Sequence, residues 1–386
     1  MPNPGLTPEQ MLEAVRLVSE YGSITEAARQ IGINRETLQS RVNRAREEIA
    51  KGTLDPDLAT RVPEGHRVKG VSTLYNQDGD IKAQWVKTDV AREASLEAFE
   101  STIAAVCENI KGLAPARPLP ENCADDLLTV IPMGDPHFGL LSWKPETGQN
   151  FDTPRAEEVT FGAVDRLVAA TPPSGTAILL NLGDYFHADD GTNRTRRGGN
   201  ELDVDGRFAK VAEVGFRAML RCVERMLEKH AKVIVRNNPG NHDPHQAKML
   251  NVAVGAYFHN EPRVYVDPSP CSFYYYRFGE VLIGSTHGDG AKLTELPLIM
   301  ANDVKQDWAS STYRVWHVGH FHHNQKFAQK DLVGCEVETH RTLAASDAWH
   351  HHEGYRSVKD MKAIVYHRDF GEMNRIRCGI EMLQNC

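Results

Sequence analysis

The sequence has no paired cysteines, no long apolar run and no basic leader. Its seven cysteines are scattered singly, which argues against a disulfide framework or a cysteine zinc site and fits free thiols in a reducing compartment. The first ten residues lack the basic stretch and apolar segment of a secretory signal. Apolar runs such as 177–180 are far too short to span a bilayer, so no membrane role is expected and the cytoplasm is the expected location. Positive charge is also in short supply. With a net charge of −8, the chain does not coat nucleic acid by bulk electrostatics, although a local basic surface remains open. There is no internal repeat, no low-complexity tract and no excess of glycine or proline. What remains is a globular chain whose 386 residues suffice for two or three domains.

Three regions separate by pattern. Residues 1–51 read as helices alone. Met11, Leu12, Val15, Leu17 and Val18 recur at helical spacing in the first. Ser23 with Glu26 three residues later resembles a capping box that opens a short helix holding Ala27, Ala28 and Ile31 and stopping at Gly32. A third helix starts at Arg35 and buries Leu38 and Val42. Short helix, glycine-containing turn and longer helix form the helix-turn-helix pattern, whose second helix would offer Arg35, Gln39, Arg41 and Arg44 to DNA. A three-helix docking or oligomerisation unit is the plainer alternative. The region resembles helix-turn-helix domains of the repressor and phage packaging type.

Residues 52–122 form a connecting region. Alternation over 68–75 and 81–87, around Asn76-Gln77-Asp78-Gly79, predicts a β-hairpin. A helix is expected over 90–110, and the proline-rich stretch 114–120 reads as a semi-rigid linker. No chemistry is visible here.

Residues 123–386 alternate strands (128–133, 177–182, 232–237) with helices (156–169, 208–230) and turn mainly β after Pro270, with strands at 273–278, 281–285 and 314–318. That alternation predicts an α/β sandwich. The strand ends carry polar clusters: Gly134-Asp135-Pro136-His137, Gly183-Asp184-Tyr185-Phe186-His187, Gly240-Asn241-His242-Asp243, His287-Gly288-Asp289 and Gly319-His320-Phe321-His322. Loops at the carboxyl ends of α/β strands converge on one rim. On chain just leaving a strand, Asp-x-His and His-x-His pairs would point the same way. Carboxylate, imidazole and amide oxygen suit manganese, iron or zinc.

These five clusters, in this order, resemble the calcineurin-like metallophosphoesterase superfamily, over about half the chain. The resemblance implies a four-layer α/β/β/α sandwich and two divalent metal ions, manganese first, with iron, zinc or magnesium as alternatives. It implies that Asp135, His137 and His322 hold one metal, Asn241, His287 and His320 the other, and that Asp184 bridges them. His242 would lie over the phosphate as general acid or charge stabiliser. The histidine ending Gly-Asp-Tyr-Phe-His, His187, narrows the likeness to the Mre/SbcD-type nucleases of double-strand-break repair, where the matching residue assists cleavage; packing against the rim is its plain alternative. Arg194, Arg196 and Arg197, in the loop that follows, would contact a polyanionic substrate or simply face solvent.

The likeness has gaps. Only 64 residues follow His322, too few for the capping and ATPase-binding parts of those nucleases, so an ATPase partner is not expected. The helix-turn-helix is foreign to them and would serve as the DNA-holding element, a pairing that suits a phage or mobile element. Asp243 is expected to fix its turn or orient a ligand histidine, and Asp289 to orient His287. His317 and His323 read as core or surface, and the run His350, His351, His352 as structural or rim-lining, with substrate contact as its alternative. Tyr274, Tyr275 and Tyr276 read as an alternating strand. The expectation is a metal-dependent DNA nuclease tethered by its N-terminal domain, with homo-oligomerisation open. The rivals are a phosphoesterase acting on nucleotides or phosphoproteins, and a DNA-binding regulator or packaging adaptor with a vestigial metal site.

Overall fold

The computed structural model describes residues 6–50, 66–75, 81–90, 108–195, 199–322, 329–332, 334–346, 351–352, 354 and 357–383. Arg196, Arg197, His323, His350 and nearly all of the helix expected over 90–110 lie outside them. The chain divides into two compact units, Met1–Ala104 and Ala105–Cys386.

In the first unit, α1 (Pro8–Tyr21), α2 (Ile24–Ile31) and α3 (Arg35–Ala50) follow in close succession. Thr7 opens α1 with a complete capping box to Gln10. Ser23 opens α2 by accepting the Glu26 N–H at 3.2 Å, but the Glu26 carboxylate turns to Arg29 and Gln30, not back to the cap. Gly32 ends α2 in the left-handed conformation, φ 70°. Ala14, Ala27, Ala28, Leu38 and Val42 make the core. Ala27 and Ala28 carry the buried face of α2, and Ile31, in its last turn, is exposed, contrary to expectation. The hairpin strands are β1 (His66–Tyr75) and β2 (Ile81–Val90), antiparallel from His66 opposite Val90 to Tyr75 opposite Ile81. Val90 thus closes a strand and does not open a helix.

The second unit contains two mixed sheets. The first has the order β13-β12-β3-β4-β5-β6, with β3 (Ala124–Met133), β4 (Ser174–Asn181), β5 (Lys232–Asn237) and β6 (Val264–Val266) parallel, and β12 (Asp360–His367) and β13 (Gly371–Gly379) antiparallel. The second has the order β10-β11-β9-β8-β7, built from β7 (Tyr274–Phe278), β8 (Val281–Thr286), β9 (Tyr313–Val318), β10 (Gln329–Asp331) and β11 (Glu336–Thr339). Here β8, β9 and β11 run parallel, and β7 and β10 close the edges antiparallel.

Strand periodicity sorts the side chains into layers. Leu128, Val130, Ile178, Leu180, Ile234 and Ile364 of the first sheet meet Tyr274, Val281, Ile283 and Val315 of the second. The alternate residues Ile131, Leu179 and Val235 pack under α4 (Thr153–Ala170), α5 (Phe208–Leu227) and α6 (Gln246–Tyr257). Leu282, Trp316 and Val318 pack under α7 (Leu296–Asp303). Strands buried on both faces need the near-continuous apolar runs seen in β3, β4 and β5. Tyr274, Tyr275 and Tyr276 form the expected strand, with Tyr274 between the sheets and the Tyr275 hydroxyl donating to Asp303 at 2.9 Å.

The proline-rich segment behaves as a strap. Gly112 and Ala114 donate to the carbonyls of Ala256 and Tyr257 at 2.8 and 3.1 Å, and Arg117 pairs with Glu224 and Glu228. The carbonyls left over at the end of α6 and the acidic end of α5 supply the partners that the linker reading overlooked.

Candidate metal centre

The five polar clusters follow β3, β4, β5, β8 and β9, and their side chains meet. One atom each of Asp135, His137 and His322 lies within 4.8 Å of the others, and so does one each of Asp184, His287 and His320. Asn241 joins the second group, its Oδ1 2.9 Å from His287 Nε2. Asp184 Oδ2 lies 3.2 Å from the same nitrogen. His137 and His322 turn their Nε2 atoms to each other at 3.1 Å, with Asp135 Oδ1 3.6 Å from His322. Atoms that mostly accept hydrogen bonds are thus gathered facing one another, an arrangement that a cation resolves. These His/Asp clusters could hold metal ions, and carboxylate, imidazole and amide oxygen form a donor set for hard-to-borderline divalent cations.

The backbone explains the convergence, and differs from expectation. Asp135, His137, Asp184, His320 and His322 all have positive φ, 46°, 49°, 49°, 65° and 53°. Left-handed backbone costs a non-glycine residue on the order of 1–2 kcal/mol, and such residues collect at functional sites. Asp135 and His137 therefore share a side because the chain turns sharply at both, not because a strand alternates. The two loops pair as they leave the sheet: His137 N–H donates to Asp184 O at 3.0 Å, Phe138 to Tyr185 at 2.8 Å and His187 to Phe138 at 2.9 Å. Two glycines are required by space. A Cβ on Gly183 (φ 101°) would sit 2.6 Å from His287 Nδ1, and one on Gly240 would overlap the backbone nitrogen and carboxylate of Asp184.

A second set of contacts holds these groups. Asp243 is fully buried and accepts the N–H groups of Asp184 (3.1 Å), Phe186 (3.1 Å) and Gly240 (3.0 Å), so it fixes its turn and the Asp184 loop together. Asp135 accepts the His320 N–H at 3.0 Å, and its carbonyl accepts the Thr342 hydroxyl at 2.6 Å. His287 Nδ1 donates to Leu182 O at 2.9 Å. The carbonyl takes the orienting role expected of Asp289, which is exposed.

The electrostatics follow from burial and mutual charge. Burial opposes ionisation of Asp184, but His287 and His242 outweigh it and hold the carboxyl well below its ordinary range. Burial likewise opposes the His287 cation, yet Asp184 and Asp135 raise it to about 10. Burial and the Asp184 charge push Asp243 up to about 7. His137 and His320 are depressed by burial first and by neighbouring imidazoles second. They are therefore neutral, as ligands must be.

His242 and His187 stack, ring centroids 5.2 Å apart and 20° between planes. The His187 carbonyl, which can only accept, lies 2.8 Å from His242 Nδ1. Nδ1 therefore carries the proton, and Nε2 is the atom left for chemistry. His187 itself is buried, its Nδ1 3.3 Å from His137 Nδ1. Of the loop arginines, Arg194 is paired with Glu201, opposite it in an isolated antiparallel bridge.

Sequence reasoning missed three features. Asp189 and His245 form a pair at 2.7 Å, for which the spacing His242-x-x-His245 was the available signal. Thr342 gave none. His317, read as core, is buried with its Nδ1 2.9 Å from His340 Nε2 and beside Glu338; Lys362 and Arg375 already neutralise that carboxylate.

On α3, Arg35, Gln39 and Arg44 line one surface with Glu36, Ser40, Asn43 and Glu47. Arg41, half-buried, is not among them: it lies across the buried stripe of Leu38, Val42 and Ala45 from Gln39, at the edge next to Arg44. Among the described residues no helix is long and apolar enough to cross a membrane. No curated protein matches the chain. Residues 7–49 match the family described as helix-turn-helix, Psq domain, a match that indicates DNA binding by this segment.

Proposed function

We propose that the chain is a two-metal phosphodiesterase that cleaves DNA, brought to its substrate by the N-terminal helix-turn-helix. The observation that carries this reading is the pair of donor sets, Asp135, His137 and His322 on one side and Asn241, His287 and His320 on the other, with Asp184 against the second. In this reading Asp184 bridges them, and the two sheets with their outer helices are the four-layer sandwich of the calcineurin-like metallophosphoesterases. Two divalent ions, manganese first, would supply Lewis acidity and an activated water to a phosphodiester.

The protein's own part is positioning and proton transfer. Asp184 is kept ionised by His287 and His242, and Asn241 offers a neutral oxygen that adds no further negative charge near an anionic substrate. The proton on His242 Nδ1 is committed to the His187 carbonyl, so general acid catalysis uses the imidazolium, whose Nε2 gives its proton to the departing oxygen and leaves the neutral Nδ1–H ring. His187, stacked under it and against His137, holds both rings in place.

Purified protein with manganese, given single- and double-stranded DNA, is expected to cleave. His242→Ala is expected to lose on the order of 10²–10⁴-fold in rate, and Asp184→Ala to be inactive. Equal cleavage by all three proteins would assign the activity to a contaminant and end this reading. Hydrolysis of bis(p-nitrophenyl) phosphate without any cleavage of DNA would redirect it to small phosphodiesters.

A further inference from the structure

Asp189 is buried, 2 % of its side chain exposed, whereas the His245 side chain it holds is half exposed. One carboxylate oxygen, Oδ1, accepts the backbone N–H groups of His245 and Gln246 at 2.9 Å each and so caps α6. The other, Oδ2, accepts from His245 Nδ1 at 2.7 Å. Capping explains the first oxygen completely. It gives no reason for the second to hold an imidazole ring at the surface.

The position of the pair supplies one. Asp189 lies two residues beyond His187, and His245 three beyond His242, the two rings that stack beside His137. Gln246 Nε2 donates to the Ala188 carbonyl at 2.7 Å, and His242 Nδ1 to that of His187 at 2.8 Å. The two loops that carry the reactive histidines are laced together, and His245 stands at the outer end of the lacing. From Asn241 to His245 is four residues, a reach of at most about 14 Å. With Nδ1–H committed to a buried carboxylate and half of the side chain exposed, the ring is fixed in orientation and Nε2 is the nitrogen left for another partner.

We propose that His245, held by Asp189, contacts the phosphate of the nucleotide next to the scissile bond. The ring binds as the imidazolium: one proton stays with Asp189, and the second, taken from solvent, lets Nε2–H donate a hydrogen bond to a non-bridging phosphate oxygen. This makes an oligonucleotide, with several phosphates, a better ligand than an isolated diester. The inference rests on the phosphodiesterase reading, and its ligand is the phosphate chain of a short single strand.

The test uses two amides that divide the ring's contacts between them. His245→Asn keeps a donor near the Nδ1 position and so keeps the bond to Asp189; His245→Gln places a donor near Nε2 and loses it. Affinity of the full chain for the dinucleotide pTpT, too short to engage the helix-turn-helix, is measured for wild type, His245→Ala, His245→Asn and His245→Gln. The Ala and Asn variants are expected to bind about tenfold more weakly, the size of one charge-assisted hydrogen bond, and the Gln variant to recover most of that loss. An Asn variant equal to wild type beside a Gln variant as weak as Ala would make His245 a structural staple and overturn the inference, as would four equal affinities. Manganese-dependent cleavage by the wild type is scored separately. Its absence would remove the enzyme while the order of affinities still decided the subsite.

Discussion

Metal loading of this centre should release a proton that comes from His287. In the metal-free protein Asp184 and Asp135 raise this imidazole to about 10, against about 6.5 for an unperturbed histidine. A raised histidine stabilises the fold fully below about pH 6.5 and loses that contribution as pH climbs through about 10. A cation bound by Nε2 needs the neutral ring, so between these limits the ion displaces about one proton per chain. His137 and His320 are depressed and release none. Asp243, raised to about 7, is mostly ionised by pH 8, so measurement at that pH isolates His287. Calorimetric titration of manganese at pH 8, in two buffers of different ionisation enthalpy, counts the protons. We expect about one, with apparent affinity rising about tenfold per pH unit between pH 7 and 9. Asp184→Asn removes the charge that holds the proton and should abolish the release. No proton released by the wild type, or an undiminished proton in Asp184→Asn, would refute the assignment of the His287–Asp184 pair.

Other consequences can be checked separately. Gly240→Ala forces a methyl group into Asp184 and should cost about 1–3 kcal/mol; unchanged melting and unchanged manganese stoichiometry would contradict the packing described. Leu38→Ala empties the small core of the helical unit and should destabilise it by about 2–5 kcal/mol, seen as early loss of helix on heating; an unshifted melt would rule that core out. Arg44→Ala should weaken DNA binding and lower the salt slope by about one, and Arg41→Ala, at a half-buried position, should do less. The reverse order in an electrophoretic titration would reassign the DNA-facing surface.

Much of the site was legible because strand ends and ligands coincide in this chain. A buried parallel strand announces itself as an apolar run, and each of five runs is followed by a glycine beside a histidine, an aspartate or an asparagine. The resemblance those clusters carry implied one set of Asp135, His137 and His322 and another of Asn241, His287 and His320 with Asp184 between them, and the structure brings together Asp135, His137 and His322, and Asp184, His287 and His320. What was not legible depends on contacts between segments distant in sequence. Nothing local says that Asp135 and His137 turn left-handed, because the neighbouring loop at Asp184 sets that geometry. Arg194 reads as a free cation until Glu201 folds back on it, and residues 114–120 read as a spacer until the ends of α5 and α6 offer them partners. Asp189 was hidden for the same reason: its only distinguishing feature is burial under a helix that begins 57 positions later.

The neighbour of β3 on its other side, β12, has a consequence for the order of assembly. The strand that delivers Asp135 pairs with β4 on one side and, through Val130 opposite Ile364, with β12 on the other. A chain still emerging from the ribosome can form the helical unit early, from contacts close in sequence, but completes its central sheet only when residues 360–367 arrive. The helix-turn-helix part thus matures well before the part that carries the candidate metal centre. Under the proposed function, a nascent chain would hold nucleic acid before it could cut it, until residues 360–367 have been made.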